Sequence, residues 1–156
     1  MTIKKYEGFS DIFANLFHEI SKFEAKLIIT EEFKDITKNE MHVIAAIGLS
    51  VDNTMSAVAK KLGITAGSLT TSINHLVNKK YVFRERGKVD RRKVYISLSE
   101  KGQKAFKHHI NFHKKLTEAV VSSLNQEEIQ VLQKSFNDLF AFFKSYTGTG
   151  KKNKEM

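Results

Sequence analysis

From Phe9 onward, apolar residues recur every three or four positions: Phe9, Phe13, Leu16, Ile20, Phe23 and Leu27. That spacing is the stripe of an amphipathic helix. It predicts a helix from about Ser10, whose hydroxyl can cap it, to Thr30. Ile12, Phe17 and Ile28 widen the stripe beyond one seam, so this helix is expected to lie buried between elements or subunits. A second helix opens at Thr37-Lys38-Asn39-Glu40, a capping box with Thr at the cap and Glu three residues later. It carries Met41, Ile44, Ala45 and Ile47 and stops at Gly48, before a loop over Leu49 to Asn53.

Two short helices follow. Thr54 can cap the first, through Met55, Val58, Ala59 and Leu62, and Gly63 ends it. Thr65 can cap the second, from Ala66 to about Lys80, with Leu69, Ile73, Leu76 and Val77 on one side. Two short helices joined by the tight turn Leu62-Gly63-Ile64-Thr65 have the form of a helix-turn-helix. The period then switches to two. Alternation is partial in Tyr81 to Arg86 and clean in Val94 to Leu98, with Val94, Ile96 and Leu98 on one face. Between these runs, Gly87 to Arg92 is polar and carries turn residues, so a β-hairpin with a basic tip is expected. Ser99 caps a long helix to about Ser122. Asn125-Gln126-Glu127-Glu128 opens a last one with Ile129, Leu132, Phe136, Leu139, Phe140 and Phe143. The expected organisation is one domain over residues 1–146. Its DNA-binding part spans about 37–98, with helices of about 9–30 and 99–146 for dimerisation, and a disordered basic tail follows over 147–156. The fold class is mainly α, with a two-stranded β-hairpin wing.

Charge sharpens this picture. The 156-residue chain has 26 Lys and Arg against 17 Asp and Glu, a net +9, which favours a polyanionic partner. Between Lys79 and Lys93 lie eight basic and two acidic residues, a local +6. That stretch follows a helix with a small, polar outer face: Gly67, Ser68, Thr70, Thr71, Asn74 and His75. Small residues let a backbone approach phosphates, while hydroxyl, amide and imidazole groups bond to phosphates or base edges. Arginines on a hairpin tip suit the negative potential of a narrow minor groove. A basic hairpin alone also serves to keep sheet edges apart; its position beside a helix-turn-helix favours DNA. The candidate contacts are Thr65, Ser68, Thr70, Thr71, Asn74, His75, Arg84, Arg86, Lys88, Asp90, Arg91 and Arg92.

Other classes lack their residues. There is no Cys, hence no disulfide, thiolate metal site or thiol chemistry. No phosphate-binding glycine loop and no Ser/His/Asp order is present, and Glu127-Glu128 reads as a helix start, so an enzyme is not expected. No apolar run nears the roughly 20 residues of a membrane span. The N-terminal MTIKKYEGFSDIF has no continuous apolar core. The reading is a cytoplasmic protein with no membrane partner. An architectural DNA binder without sequence preference stays open beside a repressor; the two differ in salt slope and in preference for a palindrome.

Asp90-Arg91-Arg92 followed by Leu98-Ser99-Glu100-Lys101-Gly102 resembles the wing and exit signature of the MarR family of transcriptional regulators. Ser99 stands where that family usually has Thr. The resemblance runs over nearly the whole chain and implies a dimer with interlocking terminal helices. It further implies a recognition helix from Thr65 to Lys80 in the major groove, Arg92 in the minor groove, and Asp90 holding the wing turn. Phe33-Lys34-Asp35-Ile36-Thr37, Glu40-Met41-His42, Thr70-Thr71-Ser72 with Asn74 and Leu76, and Phe112-His113-Lys114 are similar to the FabT-type branch. That branch represses fatty-acid synthesis genes in Gram-positive bacteria. It implies acyl-ACP, a fatty acyl chain on acyl carrier protein, as co-repressor. The expected acyl site lies near Phe13, Phe17, Ile28, Phe33, Phe106 and Ile110, although a Phe-rich stripe is equally the pattern of a dimer core. Zinc-responsive members of the family use a Glu and His set, and Glu24, His42 and His108 look similarly placed. With His109 and His113, four apart on one helix face, they make zinc the alternative effector. A hydrogen-bonded polar cluster is the other reading of these residues.

Overall fold

The computed structural model describes residues 7–149. The chain divides into two compact units, residues 1–113 and 114–156. The first unit begins with α1 (Glu7–Ile28). Ser10 lies inside this helix and does not cap it, because the helix starts three residues earlier than its apolar stripe suggests. A single 3-10 turn (Glu31–Phe33) leads to α2 (Lys38–Ile47). Here the capping box forms as expected: Thr37 Oγ1 accepts from the Glu40 N–H at 3.2 Å, and Glu40 Oε2 accepts from the Thr37 N–H at 2.8 Å. Gly48 closes the helix at φ +63°.

Helices α3 (Met55–Leu62) and α4 (Ala66–Asn78) are capped by the Thr54 and Thr65 hydroxyls, which accept from the N–H groups of Ala57 and Ser68. Gly63 between them is left-handed at φ +66°, which glycine adopts without a Cβ clash. Helix α4 ends at Asn78. Lys79 is its C-cap, and Lys80 turns the chain at φ +65°, an uncommon conformation for a residue with a side chain. Strands β2 (Val82–Arg86) and β3 (Val94–Leu98) pair antiparallel, Arg84 opposite Ile96.

The sheet has three strands where the sequence predicts two. Residues Asn53–Thr54, read as the end of a loop and a cap, form β1 on the outer edge of β3, opposite Ile96 and Tyr95. A two-residue strand has no alternation to read, and its partners lie some forty positions away. The core of this unit is built from α2, α3, α4 and the inner sheet face, joined by Ile28 and Ala105. Leu69, Ile73 and Leu76 on α4 are wholly buried, each contributing on the order of 2 kcal/mol by removal from water. They fix which side of α4 faces outward.

Ser99 ties the hairpin to the next helix, α5 (Glu100–Val121). Its hydroxyl donates to the Lys80 carbonyl at 2.7 Å and accepts from the Gly102 N–H at 3.1 Å. Gly102 is required by close approach: a Cβ there would sit 2.1 Å from the Tyr81 carbonyl oxygen. The second unit holds the end of α5 and α6 (Gln126–Thr149). Helix α6 opens with the expected reciprocal cap, Asn125 with Glu128. It continues to Thr149, taking in the first three residues of the expected tail; residues 150–156 lie outside the described residues.

Much of the broad stripe of α1 is exposed among the described residues. Phe9 and Ile12 are about two-thirds exposed, at 65% and 67%, and Leu16, Phe17 and Phe23 are also exposed. In the second unit Val131, Phe136 and Phe140 are exposed in the same way. Among the described residues no helix is long and apolar enough to cross a membrane.

Candidate nucleic-acid interface

With one side of α4 buried, the other presents Gly67, Ser68, Thr71, Asn74 and His75, all exposed. No heavy atom lies within 4 Å of where a Cβ on Gly67 would stand, so the first turn is open to a close partner. Thr65 is exposed at the cap, whereas Thr70 is half-buried at the margin of this face. Several hydroxyl protons are already committed. Thr70 Oγ1 donates to the Ala66 carbonyl at 2.8 Å, and Thr71 Oγ1 donates to the Gly67 carbonyl at 3.2 Å. In this arrangement both hydroxyls offer acceptor lone pairs outward.

The hairpin brings its cations alongside. Arg84 and Arg86 share a sheet face with Val82, and Arg84 Nη1 donates to Asn74 Oδ1 at 3.0 Å. At the tip, Asp90 Oδ1 accepts from the Arg92 N–H at 3.0 Å, the Gly87 N–H donates to the Lys93 carbonyl at 2.8 Å, and Lys93 N–H returns to the Asp90 carbonyl. Asp90 therefore organises the turn as expected. Gly87 is needed where a Cβ would meet the Asp90 carbonyl oxygen at 2.4 Å. Lys88, Arg91 and Arg92 are exposed around that turn.

A buried polar network that the sequence did not reveal holds this face in place. Glu40, 4% exposed, takes Lys79 Nζ on both oxygens at 2.9 and 2.8 Å, and His75 Nδ1 lies 3.6 Å away. Burial alone would raise the Glu40 pKa. The hydrogen bonds from Lys79 and the Thr37 N–H outweigh it and hold the carboxyl below its usual value. The wholly buried Tyr81 donates its hydroxyl to Asp35 Oδ1 at 2.6 Å, and Lys101 Nζ reaches Asp35 Oδ2 at 2.8 Å while lying 4.0 Å over the Tyr81 ring. Burial, then the Asp35 carboxylate, push the Tyr81 phenol upward, so it stays a donor. The start of α2, the end of α4, the base of the hairpin and the start of α5 are thus tied together. The capping box marked Glu40, but nothing local marked Lys79 as its partner.

The model of the family described as transcriptional regulator SarA/Rot matches residues 26–109, more than half of the chain. The chain belongs to this family. Its members are MarR-like winged-helix regulators, in agreement with the sequence resemblance. The regulator is 35% identical to Streptococcus pneumoniae FabT in a crystal structure with DNA. That match covers 90% of this chain and 99% of FabT, with a TM-score of 0.82. S. aureus MepR, in a DNA complex, is 21% identical with a TM-score of 0.69 over 85% of this chain and 96% of MepR, which bears on the fold alone. The HTH-type transcriptional regulator YhjH of Bacillus subtilis is 22% identical over 83% of this chain and 82% of its own length.

The six residues expected at an effector site differ in their surroundings within one chain. Ile28 and Phe33 belong to the core and Phe106 packs against it. Phe13 instead stacks between Phe9 and Phe17 on α1, and Phe17 and Ile110 are exposed. Two open grooves have other walls. One of about 610 Å³ lies in the second unit, between Val120, Leu124, Val131 and Leu132; one of about 470 Å³ lies between Lys80, Phe83, Ser99 and Lys104.

Of the five residues proposed as zinc ligands, Glu24 pairs with His42 and His109 with His113, and His108 bonds to backbone. Glu24 Oε1 pairs with His42 Nε2 at 2.8 Å, and its other oxygen takes Lys38 Nζ at 2.6 Å. Burial raises the Glu24 pKa, but Lys38 and His42 together pull it below its usual value. His109 and His113 meet through their Nε2 atoms at 3.0 Å, whereas His108 Nε2 turns away to the Leu27 carbonyl at 2.6 Å. Among the described residues no group of three or more His, Asp or Glu converges on a point where a metal ion would fit. Lys38 and the Leu27 carbonyl are bonded to Glu24 Oε2 and His108 Nε2 in this arrangement. His109 is buried, with Nδ1 lacking a hydrogen-bond partner. Burial, then the neighbouring His113 and His42, push its pKa down to about 4, against the opposing pull of Glu24.

Proposed function

We propose that this regulator is a homodimeric repressor of fatty-acid biosynthesis genes that binds a pseudo-palindromic operator, with acyl-ACP as co-repressor. The observation that carries the reading is the likeness to FabT along nearly the whole of both chains, in a structure solved with DNA. In support, α4 presents an open polar face beside a hairpin whose tip holds three exposed cations. The exposed apolar side chains of α1, and separately those of α6, favour a second copy of the chain as partner, since exposed apolar faces mark interaction surfaces. Two copies would set two recognition helices about one helical turn of DNA apart.

In this reading Thr65, Ser68, Thr71, Asn74 and His75 meet the major groove or its phosphates. Arg92 enters the minor groove, where it adds charge-assisted contacts to a site of strong negative potential. Arg84, Arg86, Lys88 and Arg91 supply the sequence-independent attraction that makes binding salt-dependent. The net +9 suits the acidic carrier protein as well as DNA.

The test is a fluorescence-anisotropy titration with a palindrome from the control region of fatty-acid genes and with a scrambled duplex. Each is run bare and with acyl carrier protein bearing a long acyl chain. Preference for the palindrome by about a thousandfold, strengthened by the acylated carrier, is expected. Equal binding to both duplexes would replace the repressor by an architectural DNA binder, and palindrome binding indifferent to the carrier would remove the co-repressor. Arg92→Ala is expected to weaken palindrome binding by about 1–3 kcal/mol with the dimer still folded; unchanged binding would refute the wing assignment.

A further inference from the structure

We propose that His75 holds a DNA phosphate as an imidazolium, so that operator binding takes up a proton in each half-site. The inference rests on the DNA-binding reading above and deepens it, naming the group that His75 meets and the charge it carries there. His75 lies on the exposed face of α4, in the last turn before the helix ends at Asn78. A recognition helix meets base edges with its N-terminal residues. Two turns separate His75 from Ser68, about 10 Å along the axis, which places it toward the end that leaves the groove for the backbone. The side chains around it are cations: Lys79 is the C-cap, and Arg84 Nη1 reaches the adjacent Asn74 at 3.0 Å.

The ring has a fixed anion behind it. His75 Nδ1 lies 3.6 Å from Glu40 Oε1, an ion-pair distance beyond hydrogen-bond range. The imidazole side chain is 60% exposed and the carboxylate 5%, so the ring stands between a buried charge and solvent. Lys79 and the Thr37 N–H hold Glu40 ionised, and a carboxylate has acceptors only. It therefore favours hydrogen on Nδ1, which leaves Nε2 for a partner. A phosphate oxygen is an acceptor as well, so Nε2 bonds to it only as N–H. Both ring nitrogens then carry hydrogen, which is the imidazolium. A neutral ring in the same place offers an acceptor at Nε2 and suits a base amino group instead. The C-terminal end of a helix also favours a cation. Lys79 Nζ, on both Glu40 oxygens at 2.9 and 2.8 Å, opposes it. On α3, Lys61 turns to the Ala46 carbonyl, and on β2 Arg84 turns to Asn74. DNA adds the deciding charge, since a duplex carries one negative charge per about 1.7 Å. The bound state thus favours the charged ring more than the free state does. By linkage the gain in affinity is full below the titration of the free ring and is lost as pH rises through that of the bound one.

The experiment is fluorescence anisotropy with the full chain from about pH 6 to pH 8 at constant ionic strength, on the fatty-acid-gene palindrome and on the scrambled duplex. Histidine changes charge in this window, while lysine, arginine and carboxylates ordinarily keep theirs. A phosphate contact does not depend on sequence, so the proton uptake is readable on either duplex. The variants are His75→Gln, polar without a charge, and His75→Lys, charged throughout; circular dichroism checks that each is folded at each pH. Wild type is expected to bind about tenfold more tightly at the acid end than at the alkaline end. Its salt slope should be steeper at the acid end by about one unit per half-site. His75→Gln should lose both differences, although the chain's other histidines remain. His75→Lys should bind as tightly at the alkaline end as at the acid end. If wild-type affinity does not change with pH, the proposal falls. If His75→Gln keeps the wild-type dependence, other groups take up the proton and it falls as well. If His75→Gln weakens binding to the palindrome alone, and equally across the range, His75 is a neutral base contact and the proposal is overturned. Binding to neither duplex at any pH would instead refute the DNA-binding reading on which the proposal stands.

Discussion

Removal of the Glu40 carboxylate is expected to destabilise the regulator by about 3 kcal/mol. Two separate losses add to that figure. Glu40→Ala breaks the reciprocal cap with Thr37, whose N–H sits 2.8 Å from Glu40 Oε2, at a cost of about 1 kcal/mol. It also strips Lys79 of a carboxylate at 2.8 and 2.9 Å. Breaking a fully buried pair costs roughly 3–5 kcal/mol. Glu40 is almost wholly enclosed, but the Lys79 side chain is 31% exposed and its ammonium can turn to water. The pair is therefore assigned about 2 kcal/mol, below that range for the solvent Lys79 retains.

The components are separable. Glu40→Gln keeps an oxygen for the Thr37 N–H and should lose only the pair, about 2 kcal/mol, and Lys79→Met in both backgrounds should return a coupling of about 1–2 kcal/mol. Urea unfolding at one fixed protein concentration measures this, since self-association would make stability vary with concentration. A loss under about 1 kcal/mol for Glu40→Ala, or zero coupling, would refute the claim that Glu40 anchors the end of α4. The acid limb gives an independent check. The Glu40 pKa is depressed on folding, so its contribution is fully present above the unfolded value of about 4.5 and is lost as pH falls through the folded one. Glu40→Gln should flatten the pH dependence in that window.

His109 should act at higher pH. Its folded pKa of about 4 lies below the ordinary histidine value of 6.5. The folded state thus resists protonation, and stability should fall as pH drops from about 6.5 to 4, by up to about 3 kcal/mol in total. His109→Asn should abolish that slope while the limb below pH 4.5 persists; an unchanged slope would point to other groups. Gly102→Ala places a Cβ 2.1 Å from the Tyr81 carbonyl oxygen and 3.2 Å from Leu98 Cβ, and should cost about 2–3 kcal/mol. A thermal midpoint within a degree of wild type would show that α5 can shift away from the hairpin.

What could be read along the chain was what is local in it. Thr37, Thr54, Thr65 and Asn125 cap helices because a hydroxyl or amide meets an N–H three residues on, a relation that spacing alone specifies. The strand period of Val94, Ile96 and Leu98 and the inward stripe of Leu69, Ile73 and Leu76 are local in the same sense. The hidden features join distant residues. Tyr81 meets Asp35 across 46 positions and Lys79 meets Glu40 across 39. The edge strand β1 exists only because β3 lies beside it. The same limit bears on the histidines: family resemblance and the four-residue spacing of His109 and His113 suggested a Glu and His group, whereas the pairing of Glu24 with Lys38 and of His108 with the Leu27 carbonyl is set by packing.

The nucleic-acid face follows this division. Its membership was legible, because exposure on α4 follows from which residues are buried on the other side. Its polarity was not. Arg84 sets which way the Asn74 amide faces, and the Gly67 carbonyl takes the Thr71 hydroxyl proton. A residue's side-chain type thus states what it is able to offer, while its neighbours in the fold decide which of its donors and acceptors face outward.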